Sequence, residues 1–305
     1  MGKDTDIFYI NQATSMAATY TDPSYQATAE TWMQEDSETV NSARLQRIAS
    51  IFDPIIKHYQ GTEWLTVGDG RFGSDAHFLD KKGVNATATD IQDDLLKVGF
   101  DRKFIRRYSK QNAEQLTYSD DSFDFSFCKE AYHHFPRPAL AVYEMLRVSR
   151  TGIILHEPKD IKIFDDGPIH AVTESVKRWA RSLMNKRQNG DDYEISGNYL
   201  YSLSKREIEK MALGLNYHCV AFHLLQDHYI EGIEFEKSHP QSKIEKKLNR
   251  IIRLKEILFK LGLYNGGLLT AVIFKQKPDE LVINDLQKFG YEVTILPKNP
   301  YINNN

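Results

Sequence analysis

The chain has 305 residues, 41% of them hydrophobic, and a formal net charge of -3 at pH 7. This suits a soluble protein that buries a core in one large domain or in one domain with sizeable additions, and it offers no global attraction to nucleic acid or to an anionic membrane. Cys128 and Cys219 stand far apart and outside any C-x-x-C pattern, and no run approaches the roughly eighteen apolar residues of a membrane span. The expectation is a cytoplasmic protein with no metal centre and neither nucleic acid nor membrane as partner.

Residues 1 to about 36 are polar with scattered aromatics and show no clear period. From about Ser37, Val40, Leu45, Ile48, Phe52, Ile55 and Tyr59 approximate one helical face that Pro54 should kink or break, giving a helical N-terminal cap over 1–60. Next come a short buried strand over 64–67, a glycine turn and a helix over 75–82. A second strand over 85–91, a helix over 92–100 and a short third strand over 104–108 follow. The fourth strand is read at 122–128, a helix at 139–148 and the fifth strand at 152–156.

Strands alternating with helices of this length argue for an α/β fold, a Rossmann-like sheet of about seven mostly parallel strands with helices on both faces. Its core is placed at 61–158. A lid insertion is expected over 159–203, with a helix over 171–186, and Lys177, Arg178, Arg181, Lys186 and Arg187 there form either a basic wall for an acceptor or a solvated face. Over 204–277 the sheet is completed by strands at 217–225 and 268–275. Ser204 and Glu207 there form a capping-box pattern for a helix. Residues 243–263 form an amphipathic helix rich in lysine and arginine, expected to pack on its own domain or on a second subunit, which leaves a homodimer open. The tail over 278–305 adds a short helix and, at "YEVTIL", a strand.

"VGDGRFGSDA" carries Gly68, Gly70 and Gly73 in a G-x-G-x-x-G pattern between a strand and a helix, a turn suited to an anionic or nucleotide ligand. Asp90 ends the second strand, where a carboxylate can accept hydrogen bonds from ribose hydroxyls. These two features alone fit a nicotinamide dinucleotide as well as any other nucleotide.

The following run, "NAEQLTYSDDSFDFSFCKEAYHHF" leading into "PALAVYEMLRVSRTGIILHEP", resembles the class I methyltransferases that use S-adenosylmethionine, in particular the type 11 methyltransferase-domain group. The resemblance covers about residues 60–158. It implies cofactor contacts at Gly68, Asp69 and Gly70, at Asp90 and the adjoining Ile91 for ribose, at Asn112, Ala113 and Glu114 around adenine, and at Lys129 beside the methionine end. Thr66 stands where the family usually has an acid, and Asp69 is the residue to replace it at the cofactor's ammonium group.

Methyl transfer requires alignment and exclusion of water, and a hydroxyl acceptor also needs a base. His133 and His134 after the fourth strand are the base candidates, and His156, ahead of Glu157, is a weaker one. Each also has a plain packing role open to it. The reading is a methyltransferase for a small molecule, with O-methylation of a sugar or secondary-metabolite hydroxyl ahead of N-methylation of a small amine. From other classes, an NAD(P)-dependent oxidoreductase and a non-catalytic cofactor-binding module stand as alternatives. His218, His223 and His228 recur at odd spacing along a strand and are not expected to converge on a metal.

Overall fold

The computed structural model describes residues 38–161 and 197–301 throughout, together with 9–11, 14, 30, 31, 33, 193 and 194. The expected helix over 171–186 and its basic residues lie outside the described residues.

Helix α1 (Val40–Ala49) begins on a Thr39 capping box, and a 3-10 turn links it to the short α2 (Asp53–Ile56), where Pro54 sits in the first turn and breaks the run as expected. Then follow β1 (Glu63–Val67), α3 (Ser74–Lys81), β2 (Asn85–Asp90), α4 (Asp94–Asp101), β3 (Tyr108–Lys110), β4 (Phe123–Lys129), α5 (Pro138–Val148) and β5 (Ser149–Pro158). After these come α6 (Lys205–Gly214), β6 (Cys219–Leu225), α7 (Lys243–Lys260), β7 (Leu268–Phe274), α8 (Glu280–Phe289) and β8 (Glu292–Ile295). The capping box at α6 forms as the sequence suggests: Glu207 N–H donates to Ser204 Oγ, and Ser204 N–H donates to the Glu207 carboxylate.

All eight strands join one sheet in the order β3-β2-β1-β4-β5-β7-β6-β8. Strands β1 to β5 pair in parallel, whereas β7 runs antiparallel between β5 and β6, and β8 pairs antiparallel with β6. The eighth strand corrects the expected seven, because "YEVTIL" extends the sheet past β6. The third strand also lies later than read. Phe104 stacks on His77 with ring centroids 3.8 Å apart, and Ile105 is buried beneath the glycine turn, so pairing with β2 starts only at Tyr108.

The alternation along each strand divides the core in two. Phe125, Phe127, Ile154, Val272 and Phe274 face α2, α3, α4 and α8, while Ile153, Leu155, Leu269 and Ile273 face α5 and α6. Both faces are covered, so polar groups collect at the strand tips. A third, smaller cluster joins Val40 of α1 and Ile233 to Leu248 and Ile252 of α7.

Candidate functional site: a crevice at the strand tips

A crevice opens beyond the carboxyl ends of β1, β2 and β4, lined by Gly68, Gly70, Arg71, Asp90, Ile91, Asn112, Ala113, Glu114, Glu130 and His134, with Tyr9 and Phe135 among its walls. This is where the strand order reverses, the usual ligand position in open α/β sheets. Gly68 has φ +77°, and a Cβ there would stand 2.3 Å from the Ala131 Cβ, so both the turn's handedness and its contact with the segment after β4 demand glycine.

Asp90 is held by the backbone: Gln92 N–H donates to Oδ1 at 2.8 Å, and the N–H groups of Ile91 and Gly70 also bond the carboxylate. Burial pushes its pKa up to about 6, against the lowering effect of those N–H groups and of His134. The amide of Asn112 is oriented by Glu114 N–H, which donates to Oδ1 at 2.9 Å, so Nδ2 is the donor side, and it meets the Tyr9 hydroxyl.

Three residues expected at the cofactor sit differently. Asp69 is 3% exposed and turned into the protein, where its oxygens accept from Asp75 N–H (3.1 Å), Ala76 N–H (2.9 Å) and Thr66 Oγ (2.8 Å). It caps α3, whose own N-cap residue, Gly73, has no side chain to do so. Burial, then the charge of Asp75, raise its pKa, and its carboxylate does not line the crevice. Lys129 likewise stays off the crevice wall, its ammonium paired with Asp75 at 2.6 Å. Glu114 does line the crevice, yet its carboxylate accepts from Arg137 N–H (2.7 Å), Arg137 Nε (2.6 Å) and the Tyr9 hydroxyl.

Tyr9 is the residue that sequence reasoning missed, and Glu130 was expected only to border the site, with capping or packing equally open to it. Tyr9 comes from a segment without period, and no pattern ties it to Glu114 across 105 positions. Glu130 follows Lys129 with φ +51°, an unusual backbone for a non-glycine residue that turns the chain at the tip of β4. Burial opposes its ionisation, but Lys129 and Arg71 outweigh this and hold its pKa below the usual glutamate value.

The histidines separate. His134 stands in the crevice wall with Nδ1 on the Glu194 carboxylate. His133 lies behind it, ring centroids 3.9 Å apart, outside the crevice lining. Its Nδ1 meets Glu157 Oε2 at 2.6 Å, while Glu157 Oε1 accepts from Ala131 and Tyr132 N–H, each at 2.8 Å. Burial lowers the His133 pKa, but the hydrogen bond and charge of Glu157 prevail and raise it overall. His156 is fully buried on β5, with Nδ1 2.8 Å from Thr270 Oγ and its ring edge-on to Phe52; burial drops its pKa to about 3. It therefore belongs to the core and cannot act as the base at the crevice. His223 packs against Phe289 and Tyr291 and His228 meets Lys255, so the spaced histidines do not converge.

A mostly parallel open sheet, a glycine turn after its first strand and a carboxylate closing its second define a nucleotide-binding α/β protein. More particularly, residues 65–155 match the family described as a methyltransferase domain. No curated protein matches. Among solved structures, the YcgJ protein of Bacillus subtilis is 20% identical, covering 75% of this chain and 99% of its own, with TM-score 0.46. A SAM-dependent methyltransferase from Archaeoglobus fulgidus is 12% identical over 75% of this chain and 94% of its own, TM-score 0.47. Phosphoethanolamine N-methyltransferase 2 of Haemonchus contortus, crystallised with S-adenosyl-L-methionine, is 15% identical over 73% of this chain and 51% of its own, TM-score 0.46.

Proposed function

We propose that the protein methylates a hydroxyl group of a small molecule, with His134 as the base. The carrying observation is the His134 ring in the crevice wall, its Nδ1 tied to the Glu194 carboxylate. A carboxylate on Nδ1 fixes the tautomer and leaves Nε2 to accept a proton, the arrangement a hydroxyl nucleophile requires.

The donor set fits S-adenosylmethionine. Asp90 offers a carboxylate to the ribose hydroxyls, Asn112 offers an amide donor to the adenine, and the glycine turn provides a wall without side-chain bulk. At the other end Arg71 and Glu130 offer a cation and an anion to the methionine carboxylate and ammonium. When bound, the cofactor supplies a methyl group on a sulfonium, a good leaving group for in-line displacement. The protein aligns the acceptor oxygen, removes its proton through His134 Nε2 and keeps water out. His133, braced by Glu157, positions His134 from behind.

The test follows tritium from methyl-labelled cofactor into a panel of monosaccharides, catechols and primary amines. Label on hydroxyl products, lost in His134→Gln while cofactor still binds, supports the reading. Label on amines, or hydroxyl transfer undiminished by His134→Gln, overturns it.

A further inference from the structure

Helix α7 is anchored by one side and presents the other to solvent. Leu248 and Ile252 are buried against Val40 and Ile233, and Lys255 Nζ donates to the Asp227 carbonyl at 2.8 Å, just past β6. Strand β6 runs parallel to β5, so this anchor lies at the same end of the sheet as the crevice.

The opposite side of α7 follows three neighbouring rows at heptad spacing. Lys246, Arg253 and Lys260 form one; Lys243, Arg250 and Ile257 the second; Lys247, Leu254 and Leu261 the third. Leu254, Ile257 and Leu261 are 54%, 46% and 59% exposed. The helix holds seven basic and two acidic residues. Of the two acids, Glu245 is engaged by Ser238, His239 and the Ser242 cap. Among the described residues, none of the basic side chains in these rows makes an ion pair, so this is not a face neutralised by salt bridges.

We infer that this face of α7 docks on an anionic lipid surface, the leucine and isoleucine side chains entering the acyl boundary while the flanking lysines and arginines meet headgroup phosphates. Charge decides among occupants. Face-to-face packing of two copies would set the basic rows against each other, and nucleic-acid grooves pair cations with aromatic stacking platforms rather than leucines. The net charge of -3 conceals the feature because it averages a basic helix against an acidic remainder. The contact is peripheral, since no described helix is long and apolar enough to cross a membrane.

The experiment is flotation of the full chain with phosphatidylcholine vesicles, with and without phosphatidylglycerol. Binding should require the anionic lipid and weaken with salt. It should fall roughly fivefold per charge removed, hence about a hundredfold in Lys246→Gln/Arg253→Gln/Lys260→Gln, and vanish in Leu254→Ser/Ile257→Ser/Leu261→Ser, whose exposed sites leave the fold and its thermal transition intact. Equal binding to both vesicle types, or to neither, overturns the inference. So does a dimer in sedimentation velocity that the serine variant abolishes, because the face would then serve self-association.

Discussion

The two ends of the crevice are built on different principles. At the proposed cofactor end, Gly68, Gly70, Asp90 and Asn112 lie within 45 positions of sequence, and Asp90 and Asn112 are oriented mainly by nearby backbone N–H groups. At the proposed acceptor end, His133 and His134 follow β4 whereas Glu157 and Glu194 come from elsewhere in the chain, and each histidine is oriented by a side-chain contact with one of these carboxylates. Backbone-held groups keep their place when one side chain is changed, whereas a side-chain network loses several partners at once. The contrast therefore predicts local failure at one end and propagated failure at the other.

The sharpest break should come at Glu157. Glu157→Ala strands two buried backbone N–H groups and His133, and should cost about 3 kcal/mol of stability in denaturant unfolding. At the cofactor end, Asp90→Ala should weaken S-adenosylmethionine binding by up to about a hundredfold in titration calorimetry, with the fold preserved. A loss of stability larger than the loss of binding would erase the distinction drawn here.

The pH dependence of Asp90 sharpens it further. Its folded pKa of about 6 lies above the ordinary aspartate value of 3.8, so the folded state binds the extra proton between these limits. Lowering the pH through 6 should add up to about 3 kcal/mol of stability to the free protein relative to Asp90→Asn. Cofactor binding, which needs the ionised carboxylate, should instead weaken about tenfold per pH unit below 6. Opposite slopes in one residue are the signature; parallel slopes would place the ribose elsewhere.

The smallest effect belongs to Glu130, where the two ends meet. Glu130→Gln should weaken S-adenosylmethionine about tenfold yet leave methylthioadenosine, which lacks the amino-acid portion, unchanged. Equal weakening of both would detach Glu130 from the methionine end.

The order of elements, the glycine turn and the acid ending β2 were legible because each depends on local pattern: period, turn chemistry and the end of a buried strand. The "YEVTIL" segment was visible, but its pairing with β6 was not, since a free edge is known only once the other strands are placed. Asp69 misled for the same reason. In the chain it neighbours two crevice glycines, yet α3 needed caps for its first N–H groups, and only the folded turn shows the carboxylate pointing at them.

What the sequence determined by itself is the sheet, its helical cover and the glycine turn and acid at the strand tips, because hydrophobic spacing and backbone geometry act over a few residues. Tertiary structure alone decided which histidine meets the crevice, that His156 is buried and neutral, and that Tyr9 closes on Glu114. Burial and partnership across 105 residues of chain are properties of the packed molecule, and it is they that set a side chain's charge and reach.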